Sequence, residues 1–485
     1  MENISGVALG TFLVHAILVL GLSVRVIMRR RPVGVLLAWM AIILSVPVLG
    51  VLVYLVVGES RISGKYLKRG LKIHARYGDW KQALCARAAV DWTGIAPQVL
   101  ALQKQARTVA GFPALQGNRL ELLQDAGDVF RSLIGAIARS RRSCHLEFYI
   151  WHAGGLADEL LEAVIAAAQR GVVCRLLLDA LGSKPFLRST LANRLKDAGV
   201  ELAIALPVGL FTTLVTRADL RNHRKLAVID GEVAYTGSQN LVDPRYFKQD
   251  EGVGQWVDAM LRIEGPVVEA LGGVFIHDWE IATGFGLDSL AATHDVRPVP
   301  ERGPAPVQVI PSGPVPQPLA ILQLMLGAIY AAQRELIITT PYFVPDESLL
   351  TALLSAAQRG VEVTLLLPEK NDSRLVDLAG KAVFADLLEA GVHIAAFRGG
   401  LLHTKSITVD AEFALFGSVN MDMRSLWLNF ELSLLIYDRE STALIRRMQK
   451  GYLKDSEPVN REAWRQRSFS RRFVENAVHL LAPLL

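Results

Sequence analysis

The sequence predicts an α/β protein made of two copies of one domain, preceded by a two-helix transmembrane hairpin. Three observations lead to this prediction. Two long apolar runs open the 485-residue chain. Apolar strand-like runs then alternate with amphipathic helical runs, as in α/β folds. The second half of the chain also repeats the first. Apolar residues make up 51% of the sequence, a high share for a protein without membrane segments.

The hairpin is predicted within residues 1–60. Residues 4–24 and 33–57 are almost wholly apolar, and each run reaches the roughly 20 residues that a helix needs to cross a bilayer. A cleaved signal peptide is the alternative for the first run, but Met1-Glu2-Asn3 carries no positive charge and Arg25 occupies the place of a small cleavage-site residue. Basic residues after each run favour opposite orientations, so the membrane face of the body stays undecided.

The body divides into four predicted parts. Residues 61–110 are expected to form a short helical connector, and residues 111–296 and 307–485 are expected to form two α/β domains with largely parallel sheets. Residues 297–306 are the predicted linker, at the start of a stretch that holds eight of the 21 prolines. The three cysteines have no metal-ligand spacing, so neither a metal site nor a disulfide is expected.

The duplication can be read directly from the sequence. LLEAVIAAAQRGVVCRLLLD at 160–179 corresponds to LLTALLSAAQRGVEVTLLLP at 349–368. In both copies the pattern predicts an amphipathic helix that ends at a glycine and is followed by a buried strand. Because the copies start 189 residues apart, the repeat is a whole domain and not a short solenoid unit.

One polar pattern also occurs once in each copy. It reads His-x-Lys-x4-Asp, then six residues, then Gly-Ser-x-Asn. Its members are His223, Lys225, Asp230, Ser238 and Asn240 in the first copy, and His403, Lys405, Asp410, Ser418 and Asn420 in the second. A lone His-x-Lys would usually be an ordinary surface pair. Two copies with identical internal spacing indicate a functional site.

The residue types in this pattern suit a phosphate group. Period-2 alternation predicts that His403 and Lys405 share one face of a strand over 401–407. Lysine offers a fixed positive charge, and histidine can act as a nucleophile or a general acid–base near neutral pH. Serine and asparagine side chains can donate to phosphate oxygens. Asp230 and Asp410 could close the catalytic motif or could only cap turns at strand ends.

These paired motifs resemble those of the phospholipase D superfamily. With the amino-terminal runs and the duplicated body, the resemblance extends to the bacterial cardiolipin synthases of that superfamily and covers essentially the whole chain. It implies two phospholipase D-like domains packed pseudo-symmetrically around one site, without metal or cofactor. It also implies a phosphatidyltransferase that makes cardiolipin and glycerol from two phosphatidylglycerol molecules through a phosphatidyl-histidine.

The resemblance also assigns roles to residues. It implies His223 as the nucleophile and His403 as the acid–base, with the two lysines and two asparagines as a phosphate clamp and Ser238 and Ser418 as further contacts. Asp258 is expected to orient His403, and Glu431 is expected to orient His223. A plain surface or strand-end role is the alternative for both acids.

The expected partners are phosphatidylglycerol and membrane phospholipid, in a multi-pass protein of the bacterial inner membrane. No nucleic acid is expected, and the number of copies in the assembly stays open. A phospholipase D-type hydrolase of phospholipids is the alternative activity, and a nuclease fits less well. A further open choice concerns residues 461–481, which begin basic and continue with helical apolar spacing. They could lie on a membrane interface or pack on the second domain.

Overall fold

The computed structural model describes residues 2–28, 33–46, 48–54, 58, 70, 78–87, 90–207, 217, 219–284, 296–315 and 317–482. The chain divides into two compact units. The smaller unit contains residues 1–67 and 208–220, and the larger unit contains residues 68–207 and 221–485. Both copies of the repeated sequence belong to the larger unit.

The smaller unit contains helices α1 (Glu2–Met28), α2 (Val33–Ser45) and α3 (Leu49–Val53). The second predicted span is therefore not one helix. The 13 residues of α2 cover only about 20 Å. The sequence has Pro47 between α2 and α3, and proline disfavours helix in the residue before it and cannot donate a helical hydrogen bond. Over the side chains that the structure describes, no helix has both the length and the apolar content of a membrane span.

The larger unit includes a helical segment at 78–87, which precedes α4. Its helices are α4 (Pro97–Ala110), α5 (Ala126–Arg139), α6 (Leu156–Gln169), α7 (Lys184–Leu187), α8 (Thr190–Asp197), α9 (Val267–Thr283), α10 (Ala320–Ala331), α11 (Glu347–Gln358), α12 (Arg374–Lys381), α13 (Phe384–Ala390), α14 (Met423–Trp427), α15 (Arg439–Lys454), α16 (Arg461–Arg465) and α17 (Phe469–His479).

The strands of the larger unit are β1 (Ala114–Leu123), β2 (Ser143–Phe148), β3 (Val173–Asp179), β4 (Glu201–Ala205), β5 (Lys225–Ile229), β6 (Val233–Gly237), β7 (Trp256–Val257), β8 (Met260–Glu264), β9 (Ala305–Ser312), β10 (Glu335–Thr339), β11 (Phe343–Val344), β12 (Glu362–Pro368), β13 (His393–Phe397), β14 (Leu401–Leu402), β15 (Ser406–Val409), β16 (Phe413–Gly417), β17 (Met421–Asp422), β18 (Glu431–Ile436) and β19 (Ser456–Pro458).

Fifteen of the described strands form one continuous sheet. The first copy contributes the block β1-β8-β6-β5-β2-β3-β4, and the second contributes β9-β18-β16-β15-β10-β12-β13 in the same relative order, with β19 added at the edge. The blocks join where β1 pairs antiparallel with β9, with Leu115 opposite Val307. This repeated order confirms the duplicated α/β fold.

The prediction of largely parallel sheets is wrong. In each block only two neighbouring pairs are parallel, β2 with β3 and β3 with β4 in the first copy, and β10 with β12 and β12 with β13 in the second. The other pairs in each block are antiparallel, because the chain returns through tight hairpins such as β5–β6 and β15–β16. Strand β9 also starts at Ala305, inside the predicted linker.

The repeated helix–strand segment folds as its pattern predicts. Helix α6 buries Leu160, Leu161 and Val164 at helical spacing. It is followed by Gly171 at φ 87°, a backbone conformation that glycine adopts without a side-chain clash. The chain then enters β3, whose interior residues are buried among α5 and α6. The same arrangement recurs around α11 and β12 in the second copy.

Candidate active site

The centre of the larger unit is built by backbone pairing between the two copies. The N–H of His223 donates to the carbonyl of Phe430 at 2.8 Å, and the N–H of His403 donates to the carbonyl of Val257 at 2.8 Å. The paired residues Phe430 and Val257 are each followed directly by an acidic residue. Each copy therefore delivers a carboxylate to the histidine of the other copy.

The two acids contact the histidines at Nδ1. Nδ1 of His223 lies 2.9 Å from both carboxylate oxygens of Glu431, and Nδ1 of His403 lies 2.6 Å from Oδ1 of Asp258. All four residues are buried. A carboxylate at Nδ1 fixes the proton there and leaves Nε2 with its lone pair. Each ring is thus oriented with one nitrogen available for chemistry.

Burial makes both imidazoles weak bases. Burial lowers the pKa of His223 to about 4, against the opposing pull of Glu431. Burial likewise lowers the pKa of His403 to about 4, against the pull of Asp258. Lys405 further lowers the pKa of His223, and Lys225 further lowers that of His403. The two half-sites therefore share one electrostatic environment, in which burial disfavours the charged form of both histidines in the free site.

The two lysines of the motifs are buried in equivalent positions. Nζ of Lys225 donates to the carbonyl of His223 at 2.7 Å, and Nζ of Lys405 donates to the carbonyl of His403 at 2.6 Å. Burial lowers the pKa of Lys225 to about 7, although Glu431 opposes the shift, and burial lowers the pKa of Lys405 well below its usual value. An ammonium group has three N–H donors, so each lysine retains donors for an anion.

The asparagines of the motifs are also buried. Oδ1 of Asn240 accepts from the N–H of Ile150 at 3.2 Å. Its amide Nδ2 is buried and has no hydrogen-bond partner within the described part of the chain, and the same holds for Oδ1 of Asn420. A buried amide donor without a partner is costly unless a ligand supplies an acceptor. Asn240 is therefore suited to an anionic oxygen.

The two serines are placed differently from the prediction. Oγ of Ser418 donates to Oε2 of Glu431 at 2.5 Å and accepts from the N–H of Leu432. Oγ of Ser238 donates to the carbonyl of Ala259 at 3.2 Å and accepts from its N–H. Each hydroxyl has one hydrogen, and it is already used. Both serines thus hold the chain beside the acids, and a direct phosphate contact is not supported.

Asp230 and Asp410 lie outside the site, which corrects their assignment as catalytic. Asp230 accepts the backbone N–H groups of 141–143, and Asp410 accepts those of 333–335. Both have positive φ, 55° and 53°. Strand β5 separates Asp230 from Lys225 by about 16 Å. The acids fix the β5–β6 and β15–β16 turns, the alternative role that the sequence left open.

The motif histidines precede their strands and do not lie within them. Strand β15 begins at Ser406 and β5 begins at Lys225, so the expected strand over 401–407 is interrupted. In the first copy, the residues just before β5 are held in place by two hydrogen bonds from Asn222. Its Nδ2 donates to Glu147 at 2.7 Å and its backbone N–H donates to Asp179 at 2.9 Å. Sequence reasoning missed both anchors, although Asp179 stands where the second copy has Pro368.

Aromatic rings line the histidines. The Tyr149 ring centre lies 5.0 Å from that of His223, and the Trp256 ring centre lies 4.3 Å from that of His403. Tyr342 is 6.5 Å from His403 on another side. Other aromatic residues near strand ends are buried in the core, namely Phe148, Trp151 and Phe343. Within the described residues, no group of His, Cys, Asp and Glu side chains is arranged to hold a metal ion.

A duplicated fold that brings two His-Lys pairs to one centre defines a phospholipase D-like protein. A family model described as "Cardiolipin synthase, PLD-like domain" matches residues 133–279 and 325–451, and one described as "Phospholipase_D-nuclease N-terminal" matches residues 17–59. The chain belongs to the cardiolipin synthase family of PLD-like proteins.

Relatives in this family match almost the entire chain. Cardiolipin synthase A of Cronobacter sakazakii is 44% identical over 473 residues, which is 97% of this chain and 96% of the relative. Cardiolipin synthase A of Salmonella arizonae matches with the same identity and coverage. Among solved structures, phosphatidylserine synthase of Haemophilus influenzae Rd KW20 has a TM-score of 0.62 at 14% identity, over 79% of this chain and 100% of its own. That likeness concerns the fold alone.

Proposed function

We propose that this chain is a bacterial, membrane-associated cardiolipin synthase that converts two phosphatidylglycerol molecules into cardiolipin and glycerol. The observation that carries the proposal is the pair of buried histidines, each held at Nδ1 by a carboxylate of the other copy. One histidine can attack a phosphorus while the other serves the leaving group. Similarity to proteins named Cardiolipin synthase A supports cardiolipin as the product.

In the first step, Nε2 of His223 attacks the phosphorus of phosphatidylglycerol. The bond from phosphorus to the glycerol oxygen breaks, and glycerol leaves with a proton from His403, whose imidazolium form Asp258 and the bound phosphate anion favour. The product is a phosphatidyl group on His223, with Glu431 stabilising the charge that the ring acquires. Lys225, Lys405 and Asn240 donate to the non-bridging oxygens, where negative charge grows in the transition state.

In the second step, a second phosphatidylglycerol offers its terminal hydroxyl. His403, now neutral, takes the hydroxyl proton as the oxygen attacks the phosphorus. The bond from phosphorus to Nε2 of His223 breaks, and cardiolipin is released. Both histidines return to their starting state, so the cycle needs no other reactant.

The two pairs differ in a way that supports these roles. Glu431 divides its hydrogen bonds among His223, Ser418 and Asn429, whereas Asp258 makes a shorter contact, 2.6 Å, with His403. His403 and its hydrogen bond also lower the pKa of Asp258 to about 2, although burial opposes this. A close, fully charged partner favours the imidazolium form, which an acid must reach. His223 is the more exposed ring and suits attack.

We further propose that the amino-terminal segment holds the enzyme at the bacterial inner membrane, with the two apolar runs as a membrane hairpin. The apolar sequence of residues 4–24 and 33–57 and the matching amino-terminal family model support membrane association. A lipid substrate that never leaves the bilayer requires such a location.

Product analysis tests the proposal. The full chain is mixed with phosphatidylglycerol labelled in its headgroup glycerol and in its phosphate. We expect labelled glycerol and cardiolipin in equal amounts, one of each for two phosphatidylglycerol molecules consumed. Phosphatidic acid as the main product would establish hydrolysis instead, and an absence of turnover would contradict the proposal.

Variants of the two histidines test the shared site and its roles. His223→Ala and His403→Ala should each lower kcat by at least about 10³-fold, because each removes half of one reaction centre. His393→Ala, on an exposed histidine of β13 outside the site, is the matched control. Trapping the labelled intermediate with base and mapping the modified histidine should place the phosphatidyl group on His223. Label on His403 would reverse the two roles without affecting the overall reaction.

A further inference from the structure

The carboxyl-terminal helix α17 exposes its largest apolar side chains. Phe469 is 81% exposed, Phe473 is 62% exposed and Leu480 is 80% exposed. Leu480 continues the helical backbone at φ −61° and ψ −22°. At 3.6 residues per turn, the three positions fall within about 40° of one another around the helix axis. They form a single stripe, called here the outer face of α17.

The opposite side of α17 is fixed to the protein. Val478 and Ala482 pack with Val344 and Ala379 in one small core cluster. Nδ1 of His479 lies 3.0 Å from the carbonyl of Ala379 on α12. Because this inner side is anchored, the helix cannot turn its outer face inward. A surface helix normally presents polar residues outward, so the arrangement of α17 is inverted.

A buried ion pair adds to this anchoring. Glu475, only 1% exposed, pairs with Arg467 and Arg471. The one acidic residue of α17 is thus withdrawn from the surface and neutralised. Its remaining charged side chains are basic, and Arg472 is exposed beside the outer face.

The surroundings of α17 are basic and apolar as well. Arg461 on α16 and Arg374 on α12 are exposed, as is the neighbouring Leu375 at 48%. An apolar stripe flanked by arginines is the pattern of a helix that lies in a bilayer interface with anionic headgroups. The sequence left two alternatives for this segment, a membrane interface or packing on the second domain. Helix α17 is compatible with both, because its inner side packs on the second copy while its outer face stays exposed.

We propose that the outer face of α17 inserts into the interface of an anionic phospholipid bilayer. Phe469, Phe473 and Leu480 enter the acyl region, and the flanking arginines contact lipid phosphates. The contact is separate from the amino-terminal segment and holds the body of the protein against the membrane. It goes beyond the catalytic function proposed above and does not depend on turnover.

A second copy of the chain is the other occupant to consider. Stable protein interfaces bury roughly 800 Å² on each partner. Three side chains on an 11-residue helix provide only part of such an area, and the exposed arginines of two copies would repel each other. Charge and size both favour the bilayer.

An environment-sensitive dye on the outer face tests this proposal. The full chain with Cys85→Ser and Phe473→Cys is labelled with nitrobenzoxadiazole, since Cys144 and Cys174 are buried. With vesicles that contain phosphatidylglycerol, we expect a blue shift of the emission and quenching by spin-labelled lipid. Vesicles of phosphatidylcholine alone should give a clearly smaller effect. The matched control carries the dye at Lys196→Cys, an exposed position on α8, and should show neither change.

A second variant separates insertion from simple proximity. With the dye at Leu480→Cys, Phe469→Ser together with Phe473→Ser should reduce lipid quenching by at least about half, because the apolar anchors are lost. Unchanged emission at position 473 on a vesicle-bound chain would overturn the proposal. A blue shift without vesicles that grows with protein concentration would overturn it as well, in favour of a second copy. Neither outcome bears on whether the enzyme makes cardiolipin.

Discussion

Glu431 accepts hydrogen bonds from three side chains, those of His223, Ser418 and Asn429. A carboxylate held by several donors keeps its position before substrate arrives, which lowers the cost of reaching the transition state. Ser418 therefore matters for catalysis through Glu431, as a positioning residue. The sequence suggested a phosphate contact for Ser418 because a serine hydroxyl can donate to a phosphate oxygen as well as to a carboxylate.

Replacing the charge of Glu431 should slow the reaction without weakening substrate binding. For Glu431→Gln we expect kcat to fall by about 10²–10⁴-fold with KM changed less than about threefold, because the neutral amide no longer stabilises a charged imidazole. Steady-state kinetics on phosphatidylglycerol check this. Glu440→Gln, on the exposed side of α15, is the matched control. A kcat within threefold of the parent value would remove Glu431 from the mechanism.

The buried lysines make anion binding depend on pH. The pKa of Lys225 is lowered to about 7 in the free site, mainly by burial, and a bound anion must raise it by favouring the charged form. Anion binding therefore takes up a proton above pH 7. The affinity should fall as pH rises through about 7, by at most about tenfold per pH unit for one group.

Sulfate is the suitable probe for this pH dependence, since its charge does not change in this range. Its inhibition constant should increase from pH 7 to pH 9 in the parent enzyme. Lys225→Gln should bind sulfate more weakly and with a shallower pH dependence. An inhibition constant that stays flat in the parent enzyme would contradict a lysine with a pKa near 7.

At the scale of elements, the motif aspartates belong to the turns and not to the chemistry. Asp230 and Asp410 each accept three backbone N–H groups at the start of a neighbouring strand. Both also have the positive φ that aspartate and asparagine tolerate better than most residues. Each aspartate thereby joins its hairpin to the strand beside it, β2 in the first copy and β10 in the second.

Two substitutions at Asp230 separate a turn role from a catalytic one. Asp230→Ala should lower the free energy of unfolding by about 1–3 kcal/mol, because three N–H groups lose their acceptor and alanine disfavours positive φ. Asp230→Asn keeps an acceptor and the backbone preference, so it should cost less than about 1 kcal/mol. Urea unfolding measures both. If Asp230→Asn lowers kcat more than about tenfold, the carboxylate has a catalytic role after all.

At the scale of the whole molecule, the two copies depend on each other. They share one sheet through β1 and β9, and short strands cross between them, with β7 beside β14. The same crossings deliver each acid to the other copy's histidine. Neither copy alone contains its motif histidine together with the carboxylate that contacts that histidine, so the site is complete only when both copies are present.

This dependence predicts that the copies unfold together. Leu176 and Leu365 occupy matching positions on β3 and β12, and both are buried. Leu176→Ala and Leu365→Ala should each lower the stability by about 2–5 kcal/mol and shift the same calorimetric transition. Leu181→Ala, at a 39% exposed position, should cost less than about 1 kcal/mol. Separate transitions for the two variants would show that the copies fold independently.

The sequence by itself determined what depends on local spacing. The helix–strand unit at 160–179 and its copy at 349–368 follow from periods of 3.6 and 2, and the duplication follows from their similarity. The paired His-x-Lys motifs identified the family and the phosphate chemistry, because residue type and spacing suffice for that inference. Resemblance to the family, and not spacing, suggested that Asp258 and Glu431 orient the histidines.

Only the tertiary structure decided which groups meet. His223 and Glu431 are 208 residues apart, and His403 and Asp258 are 145 residues apart, so no local pattern links them. No local pattern predicts the partners of Asp230 and Ser418 either. Aspartate and serine side chains can hydrogen-bond to several kinds of partner, and only the fold places Asp230 at the backbone of 141–143 and Ser418 at Glu431. The physical reason is that hydrogen-bond chemistry limits the possible partners, while packing of the two copies against each other selects one.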